Sequence, residues 1–148
     1  MKTDFDTLRQ LAAYTINHLK EHNLIEFKME NRLDLIEAMA TEYGVSFSTD
    51  EDIRDQAIEE VEDKLGEDPG RGDITDTEMF NHCRKEIIKS FQGEVIGGLY
   101  LVESLNQVAA RVRDFCMDSD LVEDVYATDE ELTTFLVKKI RNFSPRRA

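Results

Sequence analysis

The sequence predicts an all-α protein of about six helices in an imperfectly duplicated helix–connector–helix arrangement. Three observations lead there. Apolar residues recur at spacings of three and four along most of the chain. Boxes of the S/T-x-x-E form, which cap helix starts, occur three times. The chain also echoes itself when it is slid by 97 positions.

Leu8, Leu11, Ala12, Thr15 and Leu19 mark one face of a first helix, with Arg9, Asn17 and Lys20 on the other. The pattern lapses at Glu21-His22-Asn23, and Leu24-Ile25-Glu26-Phe27-Lys28 reads as a short extended connector. A second helix is expected from about Asn31 to Tyr43. It would bury Leu33, Ile36, Met39 or Ala40, and Tyr43, and stop at Gly44, a residue suited to the left-handed position just past a helix.

Three later helices open with capping boxes: Ser48-Thr49-Asp50-Glu51, Thr75-Asp76-Thr77-Glu78 and Thr128-Asp129-Glu130-Glu131. In each, the hydroxyl accepts from a first-turn amide and the glutamate reaches back to the cap amide. Acidic residues at these positions also favour the positive end of the helix dipole. The apolar stripes that follow are Ile53, Ala57, Ile58, Val61 and Leu65; Phe80, Cys83, Ile87 and Phe91; and Leu132, Phe135, Leu136, Ile140 and Phe143. Gly66 to Asp73, with three glycines and the internal Pro69, reads as a loop.

From Glu94 to Met117 the residues Ile96, Leu99, Val102, Leu105, Ala109, Val112 and Cys116 keep helical spacing, so one long fifth helix is expected. The rival reading is a hairpin over Glu94–Val102, with Gly97-Gly98 as a two-residue turn. At the offset of 97, Leu11-Ala12-Ala13 falls on Val108-Ala109-Ala110, and Asn23-Leu24-Ile25-Glu26 falls on Asp120-Leu121-Val122-Glu123. The chain therefore divides into a first helical repeat, 1–93, a shorter second repeat packed on it, 94–143, and a basic tail, 144–148.

Leu11-Ala12 through His18-Leu19, the Asn23-Leu24-Ile25-Glu26-Phe27 connector, the Leu33/Ile36 helix and the Asp68-Pro69-Gly70 loop resemble a repeat of the bacterial domain of unknown function 507 family. The resemblance covers about residues 7–92, and residues 105–143 more loosely. It implies two helical repeats and no assigned reaction. The short second copy and the basic tail depart from the family pattern.

Charge bounds the partners. With 32 acidic and 18 basic side chains among 148 residues, the net charge is −14 and the pI is near 4.6. That balance excludes a broadly basic nucleic-acid surface and repels anionic membranes. No charge-free run approaches the ~20 residues of a membrane span, and the opening MKTDFDTLRQ lacks the apolar stretch of a signal peptide. Two cysteines, Cys83 and Cys116, are too few for a disulfide scaffold. A cytoplasmic protein with free thiols and no cofactor is expected.

Candidate chemistry is sparse. His18 and His22, four apart on the first helix, have the geometry of a two-histidine metal pair, but a site needs further ligands. The structural alternative has His22 closing the end of the helix and His18 flanking the apolar stripe. His82 and Cys83 point about 100° apart on a helix, so the histidine is poorly placed to activate the thiol. Calcium loops opening at Asp118 or Asp50 fail, since their fifth and sixth positions are Val122 and Glu123, and Arg54 and Asp55. Arg71-Gly72-Asp73 and Pro69-Gly70-Arg71-Gly72 are chance matches to an adhesion tripeptide and a phosphate loop.

Residues 48–78 hold 13 acidic and 3 basic side chains, whereas 138–148 hold five basic and no acidic ones. The leading expectation is a non-enzymatic interaction module that binds a protein partner through Asp50, Asp52, Asp55, Glu59 and Glu62. Lys138, Lys139, Arg141, Arg146 and Arg147 form a second candidate surface, docking on the acidic face or touching nucleic acid locally. A homodimer through the long helix and Gly97-Gly98 is a further partner expectation. The alternative is a metal-dependent or carboxylate-based enzyme around His18 and His22.

Overall fold

The computed structural model describes residues 2–67 and 76–145. Among them are six α-helices: α1 (Phe5–Glu21), α2 (Arg32–Ser46), α3 (Asp50–Glu67), α4 (Asp76–Lys89), α5 (Leu105–Asp118) and α6 (Asp129–Arg141). The strands β1 (Ile25–Glu26), β2 (Phe47–Ser48), β3 (Val95–Ile96), β4 (Leu99–Leu101) and β5 (Asp124–Val125) are clasps between helices. The fold is all-α. No described helix is long and apolar enough to cross a membrane.

Helices α1, α3, α5 and α6 start on side-chain caps, while Asn31 at the start of α2 makes none. Asp4 with Thr7, Ser104 with Gln107 and Thr128 with Glu131 form reciprocal boxes at α1, α5 and α6. At α3 the box is one residue later than expected: Asp52 N–H donates to Thr49 Oγ1, and Thr49 N–H to the Asp52 carboxylate, both at 3.1 Å. Ser48 cannot be the cap because it pairs with Tyr100 in β2. Thr75 lies outside the described residues, as does the Gly66–Asp73 loop beyond Glu67; Gly66 and Glu67 themselves continue α3.

The offset of 97 carries through to three dimensions. Glu21, where α1 ends, maps onto Asp118, where α5 ends; Arg32, where α2 starts, maps onto Asp129, where α6 starts. Buried residues map onto buried residues: Leu8 on Leu105, Leu11 on Val108, Ala12 on Ala109, Leu19 on Cys116, Leu35 on Leu132, Met39 on Leu136 and Tyr43 on Ile140. α1 packs on α2 and α6, and α5 on α6 and α2, as a two-fold relation between the halves requires. The connectors meet on that relation, β1 pairing antiparallel with β5 in the register Ile25↔Val125 and Glu26↔Asp124. One apolar core unites these four helices. Between the halves, α3 and α4 pack on each other around a smaller core of Ile53, Ala57, Val61, Met79, Cys83 and Ile87.

Four sequence expectations change. The single helix from Glu94 is instead the hairpin β3–β4, closed by Gly97 (φ +57°) and Gly98 (φ +80°), with α5 starting afresh at Leu105. Two consecutive left-handed residues fit a tight hairpin turn and not a helix. β4 also pairs with β2, giving the order β2-β4-β3. In α2, Leu35 is fully buried while Leu33 is 76% exposed, because the buried face runs through Leu35, Ile36, Met39, Ala40 and Tyr43 and Leu33 lies off it. Gly44 does not end α2, which continues to Ser46 before the chain extends into β2. Ile58 is 37% exposed and not part of the buried stripe of α3.

Both ends of the chain close on the Gly97-Gly98 turn. Thr3 Oγ1 donates to the Gly98 carbonyl at 2.9 Å, and a Cβ on Gly98 would meet Thr3 Cγ2 at 2.7 Å. A Cβ on Gly97 would meet Pro145 Cδ at 2.9 Å and the Phe143 ring at 3.1 Å. Gly93 shares the left-handed backbone (φ +79°) but has open space around it. Gly93→Ala should therefore cost only backbone strain, about 1–2 kcal/mol, and Gly98→Ala at least ~1 kcal/mol more from the clash. Urea denaturation of both, with Thr3→Ser/Gly98→Ala, checks this: removing the Thr3 methyl should recover the difference.

Candidate functional site

Helix α3 turns its apolar stripe toward α4, so its acidic residues face outward. Asp52, Asp55, Glu59 and Glu62 follow one another at steps of three and four, and all are exposed. Ile58 lies exposed among them. Asp55, Glu59 and Glu62 make no ion pair among the described residues. The other two expected residues are committed to the fold. Asp52 closes the α3 cap. Asp50 accepts from the Thr3 amide at 3.0 Å, with the Thr3 hydroxyl 3.2 Å and Arg84 4.0 Å away.

Of the expected basic residues, three lie on α6, and Lys138 and Arg141 are exposed. Lys138, Lys139 and Arg141 make the last turn of α6, where positive charge offsets the carbonyl end of the helix. The Lys139 ammonium lies 5.6 Å from the centre of the Phe135 ring, and Arg141 is 3.9 Å from Glu94. Arg146 and Arg147 lie outside the described residues. Ile140 and Phe143 are core residues, so a truncation that isolates the tail must begin after Pro145, not at Lys138.

His18 and His22 belong to a row of rings in the α1–α6 seam. Phe143, Tyr14, His18, His22 and Phe135 follow with centroids 5.3, 4.5, 6.2 and 5.0 Å apart. His22 caps the helix, its Nδ1 lying 2.9 Å from the His18 carbonyl. His18 Nδ1 is buried with no hydrogen-bond partner. The run His18-Leu19-Lys20-Glu21-His22 has the H-x-x-E-H order of one metallopeptidase class. No group of three metal-ligating side chains assembles among the described residues. Cys83 and Cys116 are free and buried, and burial pushes the Cys116 thiol up to about 12, so it stays protonated.

Two clefts were not anticipated from sequence, and they are copies of one another. The first, about 420 Å³, is lined along α1 by Gln10, Ala13, Tyr14, Asn17, His18 and Glu21, with Arg32 and Phe143 on its sides. The second, about 630 Å³, is lined along α5 by Gln107, Ala110, Arg111, Asp114, Phe115 and Asp118, with Glu42 and Glu103 beside them. Adding 97 to each α1 residue gives the corresponding α5 residue, so the signal that locates the pair is the internal repeat. In the second cleft the Arg111 guanidinium grips Glu103 through two hydrogen bonds, at 2.9 and 3.2 Å, and Ser46 donates to the same carboxylate at 2.6 Å. In the first, Arg32 donates only to the Asn17 amide oxygen, at 2.9 Å. The Tyr14 hydroxyl donates to the Lys139 carbonyl at 2.7 Å, and burial raises its pKa.

Comparison with family models, with curated proteins and with solved structures finds no match to this chain.

Hydrogen bonding from Arg111, with help from Ser46, holds the Glu103 carboxyl below its ordinary value of 4.5. The folded state thus favours the ionised form. The stabilisation is complete above pH 4.5, where the unfolded chain is also ionised, and is lost as pH falls through the lowered folded value. Glu103→Gln should be less stable than the parent at neutral pH, and the gap should narrow on acidification below pH 4.5. Thermal unfolding across pH 7 to 3 reads this; a gap of constant size would refute it.

Proposed function

We propose that the protein is an interaction module that binds a basic segment of a partner protein along the exposed face of α3. The observation that carries this reading is the uncompensated charge of Asp55, Glu59 and Glu62 around the exposed Ile58. Several carboxylates on other elements are neutralised within the chain: Arg9 holds Asp6 and Glu37, Arg111 holds Glu103, and Arg113 lies against Asp114. Unpaired like charge on one face raises encounter rates with a basic partner and rejects acidic ones, while an apolar residue at its centre supplies a desolvated contact. The separate α3–α4 core holds this face on a packed scaffold. The resemblance to the domain of unknown function 507 family is in keeping with the helical fold and assigns no function, and buried free thiols are in keeping with the cytoplasm.

The test is site-specific photo-crosslinking in the native host, with the photoreactive residue at position 58. A discrete adduct should form, disappear in Asp55→Lys/Glu59→Lys/Glu62→Lys, and persist in Asp120→Lys/Glu123→Lys/Glu130→Lys, which changes the net charge equally. The adduct should also weaken as salt is raised in a lysate, since exposed charges are screened. No adduct, or equal loss in both triple variants, overturns the reading.

A further inference from the structure

The α1 cleft carries an inference independent of the α3 surface. It brings together an arginine without a carboxylate partner, an exposed carboxylate and an aromatic wall. Arg32 is half-buried and held in place by Asn17, leaving the rest of its guanidinium fork without a hydrogen-bond partner among the described residues. In the copied cleft on α5, the arginine grips a carboxylate that the chain itself supplies, Glu103. Arg111 stands where the repeat has Tyr14 on α1; the α1 cleft takes its arginine from α2 instead, and no described carboxylate pairs with it. Glu21, also on the lining, forms no ion pair with Arg32. Tyr14 and Phe143, with ring centroids 5.3 Å apart, line the same cleft. His18, whose Nδ1 lacks a hydrogen-bond partner, lies edge-on to Tyr14.

We propose that this cleft binds a free α-amino acid with a large apolar side chain. The Arg32 fork takes the carboxylate, in the bidentate manner that suits guanidinium. Glu21 takes the ammonium, and the side chain lies against Tyr14 and Phe143. A net-neutral zwitterion also fits the electrostatics: one cation and one anion line the cleft, and a ligand of zero net charge is not repelled by a protein of net charge −14.

The experiment is titration of the full chain with L-phenylalanine, 3-phenylpropionate and phenethylamine, followed by NMR shifts of the Tyr14 and His18 rings and by calorimetry. L-Phenylalanine should bind saturably and shift both rings. Each analogue, lacking one charge, should bind about tenfold or more weakly, as expected for loss of a charged hydrogen bond. Arg32→Gln should abolish the preference for L-phenylalanine over phenethylamine and leave its preference over 3-phenylpropionate. Glu21→Gln should do the reverse. Both positions are at the surface, and circular dichroism confirms folding of each variant. No saturable binding up to the solubility of the amino acid, equal binding of all three compounds, or shifts confined to residues away from α1 overturns the proposal.

Discussion

The fold depends on a junction built around one residue, Thr3. Its hydroxyl donates to Gly98 and accepts from the Asp50 amide at 2.9 Å, its carbonyl accepts from the Glu51 amide at 3.1 Å, and its own amide donates to the Asp50 carboxylate. A helix leaves its first amides without intrahelical partners. In α3 the Asp52 amide is satisfied by the Thr49 hydroxyl, the Thr49 amide by the Asp52 carboxylate, and the Asp50 and Glu51 amides by Thr3, a residue distant in sequence. The amino-terminal segment thus completes the cap of α3 while it is also fastened to the β3–β4 turn. On the far side of that turn, Phe143 and Pro145 close against Gly97. The two chain ends, the hairpin and the α3–α4 pair are joined within a few residues, and a side chain on Gly98 would collide with the Thr3 methyl at the centre of that junction.

Around that junction the duplicated halves share an apolar core and differ in how they fill one part of it. In the first half Thr15 and Tyr43, both fully buried, hydrogen-bond through their hydroxyls at 2.7 Å, and Thr15 also reaches the Leu11 carbonyl at 2.8 Å. Burial raises the Tyr43 phenol, so it stays protonated. Adding 97 gives Val112 and Ile140, also fully buried. A polar pair in one copy is replaced by an apolar pair in the other, and never by a mixed one. This is what the energetics require: exchanging both partners of a buried hydrogen bond is nearly neutral, while exchanging one strands a desolvated hydroxyl at a cost of about 1–3 kcal/mol.

Much of the architecture was legible in the sequence because it rests on local rules. The stripe from Leu8 to Leu19, the Thr128 cap and the helix boundaries near the two connectors follow from periodicity and capping. The echo at 97 residues was faint in identities because a core conserves volume and polarity before it conserves residue type. The misreadings came where two local signals competed. From Glu94 to Met117 apolar spacing ran on across a helix start, yet Ser104-x-x-Gln107 is itself a capping box and marks that start. Leu33 shares a spacing of three with Ile36 and so was read into the stripe, whereas the buried face of α2 runs through Leu35. The acidic face of α3 was readable, since charge opposite an apolar stripe must face water. That Asp50 and Asp52 serve the fold was not, because their partners Thr3 and Thr49 act through tertiary placement and a shifted cap.

The clefts show what duplication permits. Glu103 maps back by 97 onto Asp6, and Arg111 onto Tyr14. In the first half Asp6 is drawn to Arg9 at 3.2 Å, and Tyr14 is spent on the Lys139 carbonyl, so the pair that closes the α5 cleft has no counterpart on α1. The α5 copy has turned its polar lining inward, into an ion pair that ties α5 to Ser46 at the end of α2. The α1 copy keeps Gln10, Ala13 and an acidic residue at the position of Asp118, but receives its arginine from α2, with a neutral amide as partner. One copy of the face thus contributes an internal ion pair while its twin keeps Arg32 and Glu21 without an ion-pair partner among the described residues. An internal repeat can diverge in this way without loss of fold, because the buried pairs that set the fold lie on the opposite side of the same two helices.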